Sequence, residues 1–224
     1  MEADKKILSS WQANAGSWIE LIDSGGPESR RLVTNQAIVD AVIGAAPATV
    51  LDLGCGEGWL SEALYKQGLA IWGVDAIPAL VEKANSKIPG RFRIATYEEL
   101  AAGQVHFDQL FDVIVINFAL IGKESTEDLL RTLPALLSQQ GRLLIQTLHP
   151  HTRKESGDYV SGWKDGSWDG LGDRFVQPYQ WYFRTLEDWL RLFDSCGFGR
   201  VGFRDTVHPV SGRLLSVIFD CRIH

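Results

Sequence analysis

The hydrophobic positions of the chain follow two periods that alternate along most of its length. Short apolar runs predict buried β-strands, and apolar residues three and four positions apart predict helices. Helical patterns occupy 6–22 and 38–43 and then separate the strands, one of them interrupted at Pro134. The predicted strands are 48–53, 69–75, 91–95, 111–117 and 142–148. This alternation favours a parallel sheet with helices on both faces.

The pattern changes after the fifth predicted strand. Residues 149–183 have few aliphatic side chains and many tryptophans, tyrosines, glycines and aspartates. A helix is predicted at 186–197, and two strands at 199–205 and 214–221 are joined by a short link that favours an antiparallel pair at the sheet edge. We therefore expect one domain (1–224), divided into N-terminal helices (1–46), a core (47–148), an insertion (149–183) and a closing helix and strand pair (184–224).

Composition narrows the class of protein. The chain has 224 residues, of which 45% are hydrophobic and 22% charged, enough for one sizeable core. Its net charge of −6 gives no basic footprint for nucleic acid. The apolar runs are shorter than a membrane span, and the first residues lack the apolar segment of a secretory signal. We expect no nucleic-acid partner and no membrane insertion; the oligomeric state is open.

The cysteines and the spaced aspartates were considered as metal or disulfide sites. Cys55, Cys196 and Cys221 are far apart and form no C-x-x-C pattern, so we expect free, buried thiols in a reducing cytoplasm. Three equally spaced aspartates miss the pattern of a calcium-binding loop and fit solvated turns better: Asp165, Asp169 and Asp173. No metal site is predicted.

The segment VLDLGCGEGWL (50–60) places three alternating glycines directly after the first predicted strand. Glycine permits backbone angles that other residues avoid, and it lets a ligand lie against the main chain. The free N–H groups of a helix start add donors above such a loop. The dinucleotide fingerprint G-x-G-x-x-G requires its third glycine where this chain has Trp59. A nicotinamide or flavin site therefore fits poorly; a tight turn without a ligand is the alternative.

The spacing D-x-G-x-G-x-G, from Asp52 to Gly58, resembles motif I of the class I S-adenosylmethionine-dependent methyltransferases. The resemblance includes Asp75 at the end of the second strand, FDVIVIN as the fourth strand, and the passage LPALLSQQGRLLIQ. It covers 48–148 well and 182–221 more loosely. The fold that it implies is α/β: a doubly wound, mostly parallel seven-stranded sheet with an antiparallel final strand and helices on both faces.

The resemblance also implies S-adenosylmethionine as cofactor, S-adenosylhomocysteine as product, and a set of binding residues. The glycine loop would hold the methionine part, and Asp75 would accept hydrogen bonds from both ribose hydroxyls. Where the family often has an acidic residue for the adenine amine, this chain has Thr96 and Tyr97, with Glu98 next. The expected cofactor-binding residues are Asp52, Gly54, Cys55, Gly56, Gly58, Asp75, Ala76, Ile77, Thr96, Tyr97, Asn117 and Phe118.

The acceptor is expected at the carboxyl ends of the fourth and fifth strands, where open parallel sheets bind ligands. Residues 149–183 leave that edge, and their rings and glycines suit a lid or pocket for an aromatic or apolar molecule. The alternative is that they only pack on the sheet. His149 and His151 follow the fifth strand and are the candidates for a general base or acceptor-orienting group. The alternative is that His149 only shapes the strand exit.

The N-terminal region carries a second group of candidates. In the family, helices placed there commonly close over the cofactor, and an arginine meets the methionine carboxylate. Trp11, Trp18 and the pair Arg30 and Arg31 fit such a role, and a packed helical face explains the tryptophans equally well.

The function that these features favour is a cytoplasmic methyltransferase acting on a small molecule at an oxygen, nitrogen or carbon atom. The fourth strand ends in NFAL rather than the N/D-P-P-Y/F tetrapeptide typical of amino-directed nucleic-acid methyltransferases. Two alternatives stay open: a non-catalytic cofactor-binding or regulatory domain, and a nicotinamide-dependent oxidoreductase.

Overall fold

A computed structural model of the protein describes residues 2–154, 157–166, 168, 171 and 173–223. The strands of its main sheet are β1 (Thr49–Leu53), β2 (Ala70–Asp75), β3 (Phe92–Ile94), β4 (Phe111–Asn117), β5 (Leu137–Leu148), β8 (Arg200–Val207) and β9 (Leu214–Arg222). They follow the order β3-β2-β1-β4-β5-β9-β8. Strands β1 to β5 pair in parallel, and β9 is antiparallel to both of its neighbours. The predicted sheet, with its antiparallel final strand, is confirmed.

Helices pack on both faces of the sheet because successive strand residues point in opposite directions. On one face, Leu51 of β1 belongs to the largest buried cluster, with α6 and α7. On the other face, Val50 packs with α2 and α3. The helices are α1 (Glu2–Asp23), α2 (Asn35–Gly44), α3 (Trp59–Tyr65), α4 (Pro78–Lys87), α5 (Tyr97–Ala101), α6 (Glu124–Thr132) and α7 (Leu186–Ser195).

Three short helical segments supplement these helices, and one explains the effect of Pro134. Helix α6 ends at Thr132 and continues as a 3-10 turn over Leu133–Leu136, as the predicted interruption required. A π-helical segment, Arg30–Thr34, leads into α2, and a second 3-10 turn, Pro150–Arg153, follows β5. Within the described residues, none of the helices is long and apolar enough to cross a lipid bilayer.

Two features differ from the sequence prediction. Strand β5 starts at Leu137 and runs through Gly141, where a side chain would lie 2.9 Å from the carbonyl oxygen of Phe111. Glycine therefore lets the strand begin before the apolar run that predicted it. The aromatic stretch also contains a hairpin of β6 (Gly162–Asp165) and β7 (Gln180–Phe183). Its strands are too short and too widely separated along the chain to leave a clear period of two.

Helix α1 lies over the carboxyl end of the sheet and is held at two places. Its Ala15 packs with Ile77 and Leu80, which follow β2. Near its start, Asp4 accepts a hydrogen bond from the Ser125 hydroxyl at 2.6 Å, beyond the end of β4. The helix therefore forms a roof above the loops that the sequence predicts to bind a ligand.

Candidate active site

A cavity of about 660 Å³ lies at the carboxyl ends of β1, β2 and β4. Its volume falls in the range of about 300–1,000 Å³ that small-molecule sites occupy. Nine of the predicted cofactor-binding residues line it: Gly54, Cys55, Gly56, Asp75, Ala76, Ile77, Tyr97, Asn117 and Phe118. Asp52, Gly58 and Thr96 do not reach its wall.

The three glycines of the loop serve different purposes, although each has a positive φ, of 71°, 56° and 80° in chain order. A side chain at Gly54 would meet the Cβ of Ala119 at 2.4 Å, and one at Gly58 would meet the Cβ of Ala84 at 2.9 Å. At Gly56 no atom lies within 4 Å of the added carbon. Packing therefore requires glycine at the outer two positions, and only Gly56 presents bare main chain to open space.

The carboxylate of Asp75 is held by the backbone on both sides. Its Oδ2 accepts the Gly56 N–H at 2.9 Å, and its Oδ1 accepts the Ile77 N–H at 2.9 Å. Burial raises the pKa of Asp75 to about 6, although these hydrogen bonds oppose the shift. Each carboxylate oxygen keeps a further lone pair. The group can therefore accept two more hydroxyl donors, as a ribose diol requires.

Asp52 lies beneath the glycine loop and is only 1% exposed. Its Oδ2 accepts the Ser61 hydroxyl at 2.7 Å. Burial raises the pKa of Asp52 to about 7, and the negative charges of Asp75 and Glu57 add to that shift. Its predicted contact with a cofactor stays a prediction, because here its side chain supports the loop from below.

Thr96 and Tyr97 are occupied differently from the prediction that they meet the adenine amine. The Thr96 hydroxyl caps α5 by accepting the Glu99 N–H at 3.1 Å, so that side chain is committed locally. The Tyr97 hydroxyl instead reaches the glycine loop, 2.6 Å from where a Gly54 side chain would begin. Glu98 lines the cavity and is the acidic side chain nearest to the expected adenine position.

Unpaired polar atoms are concentrated at this cavity. Five of the eight buried side-chain atoms without a hydrogen-bond partner, among the described residues, belong to its lining: Trp11 Nε1, Thr34 Oγ1, Glu57 Oε1, Tyr97 Oη and Asn117 Oδ1. Native proteins rarely leave such atoms unpaired. Phe118, which also lines the cavity, has a positive φ of 54°, a strained value for a residue with a side chain. Both features are typical of a ligand site.

A charged group that the sequence analysis did not single out lies at one end of the cavity. The Arg30 guanidinium stacks on the rings of Trp18 and Trp59, 5.2 Å from each centroid. Glu57 is 1% exposed, and its Oε2 accepts the Trp18 indole N–H at 3.0 Å. The only sequence signals were Trp59 in place of a third glycine and the charged residue inside the glycine loop.

The roof of the cavity has two parts that are far apart in sequence. The first is α1; the second, which we call the strap, is residues 174–179. The buried Asn14 amide donates to the Gln177 carbonyl at 2.9 Å and accepts the Val176 N–H at 2.8 Å. The same carbonyl accepts the Trp168 indole N–H at 2.7 Å, and that ring packs edge-on against Trp11. Helix and strap are therefore fastened into one cover.

The two candidate catalytic histidines lie outside the cavity wall. His149 is 2% exposed; its Nδ1 accepts the His151 N–H at 3.1 Å, so its ring proton is on Nε2, 3.0 Å from Asp205 Oδ1. Both nitrogens are thus engaged in shaping the exit of β5. His151 packs against Tyr159, and burial and Lys154 lower its pKa. The geometry gives a base role no support, and that role stays a prediction.

The remaining predictions concern thiols and metals. Cys55, Cys196 and Cys221 are free and buried, as expected. Asp169 lies outside the described residues. Across the rest of the chain, no group of three or more histidine, cysteine, aspartate or glutamate side chains is arranged to hold a metal ion.

Comparison with known proteins places this geometry in a family. The sequence profile of the family described as "Methyltransferase domain" matches residues 30–200, more than half of the chain. The chain belongs to this family. As a family member, it contains the glycine loop, Asp75 and the end of β4 within the matched part, whereas most of the roof helix α1 precedes it.

Relatives and solved structures agree with that membership. The chain is 30% identical over 150 residues to the ubiquinone biosynthesis O-methyltransferase of Xanthomonas oryzae pv. oryzae, covering 63% of this chain and 60% of that protein. It thus spans less than two thirds of these relatives. The DhpI–S-adenosylhomocysteine complex has a similar fold, with a TM-score of 0.65, 15% identity and 99% and 97% coverage of the two chains. A Mesorhizobium loti methyltransferase has a TM-score of 0.60, with 20% identity and 82% and 97% coverage.

Proposed function

We propose that this methyltransferase-family chain transfers a methyl group from S-adenosylmethionine to a small-molecule acceptor. The observation that carries the proposal is the joined wall of Gly56 and Asp75: bare main chain beside a carboxylate whose oxygens can still accept hydroxyl donors. A nucleoside with a free ribose diol fits that wall. The unpaired Asn117 Oδ1, at the end of β4, supplies an acceptor farther along the same cavity.

The residues present fit the cofactor. Asp75 holds the ribose, the apolar side chain of Ile77 and the acidic Glu98 face the adenine, and the backbone of Gly54 to Gly56 supports the amino-acid end. The loop region also carries more negative than positive charge, since Asp52, Glu57 and Asp75 influence one another and Arg30 is the nearby cation. A cationic sulfonium ligand is therefore electrostatically favoured.

When bound, S-adenosylmethionine supplies a methyl group activated by its sulfonium sulfur. The chain's contribution to such a displacement is alignment of the acceptor and exclusion of water. Asn117 and Phe118 flank the end of β4, where the methyl is expected, and the fastened roof of α1 and strap keeps water out. No base is required for an acceptor that reacts without losing a proton, which agrees with histidines that lie outside the cavity.

The acceptor chamber extends beyond Asn117 toward the aromatic stretch. Its wall combines apolar side chains with rings, including Leu148, Leu215, Tyr179 and Trp181, and one basic residue, Arg153. We therefore propose an aromatic or apolar small molecule. The name of the Xanthomonas relatives, O-methyltransferase, favours an oxygen atom as the acceptor. The three free cysteines favour a cytoplasmic location.

Two measurements test the proposal. S-adenosylmethionine and S-adenosylhomocysteine should raise the melting temperature, because a ligand that binds only the folded state stabilises it. NAD and FAD should leave it unchanged; equal stabilisation by NAD would favour the oxidoreductase alternative. Cofactor carrying a labelled methyl group should then label a component of a fractionated metabolite extract. Tight cofactor binding without transfer to any fraction would favour a regulatory cofactor-binding domain.

A further inference from the structure

Arg30 and Glu57 face the same end of the cavity as separate, opposite charges. Burial lowers the pKa of Arg30, and the nearby negative charge of Glu57 opposes that change, so the two groups feel each other. Yet no hydrogen bond or ion pair joins them directly among the described residues. Arg30 uses its Nε on Asn35 at 3.4 Å, and Glu57 uses only Oε2, on Trp18.

Each charge is held in place by groups other than its opposite charge. The two indole rings of Trp18 and Trp59 stack on the Arg30 guanidinium and leave its edge free to donate. The Trp18 N–H fixes Glu57, whose Oε1 is buried without a partner. A buried, unpaired carboxylate oxygen is costly unless a donor reaches it. The structure therefore holds a fixed cation and a fixed anion with unused hydrogen-bonding capacity on both.

We propose that Glu57 and Arg30 together recognise the α-amino acid group of the ligand, Glu57 binding its ammonium and Arg30 its carboxylate. An amino-acid zwitterion is the ligand group that satisfies a fixed anion and a fixed cation at once without adding net charge to the site. This inference rests on the proposed function and deepens it. It makes Glu57 a specificity-determining residue that discriminates adenosyl amino acids from adenosine derivatives without an amino-acid part.

The position of Trp18 adds a consequence for the roof. Trp18 belongs to α1 and contacts both charged residues, so a ligand that fixes Glu57 and Arg30 also fixes α1 over the cavity. Ligands that lack the amino-acid group contact neither charge and leave this part of the helix unchanged. Amino-acid recognition and closure of the roof therefore depend on the same three side chains.

Binding calorimetry with two ligands tests the proposal. S-adenosylhomocysteine carries the amino-acid group, and 5′-methylthioadenosine has the same nucleoside and thioether without it. Glu57→Gln keeps the shape but removes the charge, so it should weaken S-adenosylhomocysteine by about 10–150-fold, the worth of a hydrogen bond to a charged group, and leave 5′-methylthioadenosine unchanged. Arg30→Gln should show the same selective loss. Glu62→Gln, a carboxylate on α3 that pairs with surface lysines, is the matched control.

The outcomes separate this proposal from the proposed function. If the parent protein binds neither ligand, the proposed function fails. If the parent binds both and Glu57→Gln weakens them equally, or weakens neither, the amino-acid assignment is overturned while the cofactor assignment stands. Circular dichroism checks that each variant is folded; if Glu57→Gln is not, the Arg30→Gln pair of affinities decides. Hydrogen exchange of α1 gives an independent readout, with protection expected from S-adenosylhomocysteine but not from 5′-methylthioadenosine.

Discussion

Gly56 donates its backbone N–H to Oδ2 of Asp75 at 2.9 Å, so the glycine loop after β1 and the end of β2 form one rigid unit. The two features that resembled a cofactor site in the sequence are thus physically joined. A change in either one should affect ligand binding through the same wall of the cavity.

Replacing Asp75 by alanine should weaken S-adenosylhomocysteine by about 1.5–3 kcal/mol, because a charge-assisted hydrogen bond to the ribose is lost. Calorimetry measures the change. Asp128→Ala, on the outer surface of α6, is a matched control that should bind as the parent does. Unchanged affinity in Asp75→Ala would mean that this carboxylate only fastens the loop.

The loop glycines should separate into a binding position and a packing position. Gly56→Ala adds a carbon to open space, so its cost to stability is limited to the positive φ, about 1–2 kcal/mol. Its affinity for S-adenosylhomocysteine should fall sharply. Gly58→Ala meets the same strain and also presses on Ala84, so it should lose more stability in chemical denaturation. If Gly56→Ala binds the ligand normally, the ligand does not lie against this residue.

Asp52 should make the folded state less stable as the pH rises. Burial raises its pKa to about 7, whereas the unfolded chain ionises near 3.8, so the folded state holds the extra proton between these values. Stability is therefore lost from about pH 4 to pH 7. Asp52→Asn stays neutral and should be more stable at pH 8, by on the order of a few kcal/mol at about 1.4 kcal/mol per pKa unit. Thermal melts across this range check it; identical slopes in both proteins would contradict it.

Asn14 should control the coupling between α1 and the strap. Asn14→Ala removes the side chain that pairs with both Val176 and Gln177, at a cost of about 1–3 kcal/mol for the unpaired backbone groups. Hydrogen exchange should show α1 and the strap losing protection together. Gln12→Ala, exposed on the same helix, should change neither. Loss of protection in the strap alone would show that the two parts move independently.

The histidines should matter for structure more than for chemistry. His149→Gln disturbs the contacts with His151 and Asp205 and should lower the melting temperature. His151→Gln should leave it nearly unchanged. Neither variant should lose much turnover once an acceptor is known. A fall of about 10²–10⁴ in turnover in a variant of normal stability, the usual worth of a general base, would restore the catalytic hypothesis.

Much of the fold and the cofactor end of the site was determined by the sequence alone. Apolar runs of strand length are local signals, so the five parallel strands and the closing pair could be placed from them. The glycine loop and Asp75 could also be placed, because each directly follows a strand and the carboxyl ends of parallel strands meet at one edge. Thr96 could not be resolved, since its hydroxyl serves either a ligand or the helix cap that it forms with Glu99.

Only the tertiary structure decided which side chains reach the cavity. Trp18 and Glu57 are 39 positions apart, and Asn14 and Gln177 are 163 apart, so no local period links them. The same limit applies to His149, whose proximity to the strand end suggested chemistry until its nitrogens were found to face His151 and Asp205. Periodicity reports which face of an element is buried; which partner meets that face depends on packing between distant segments.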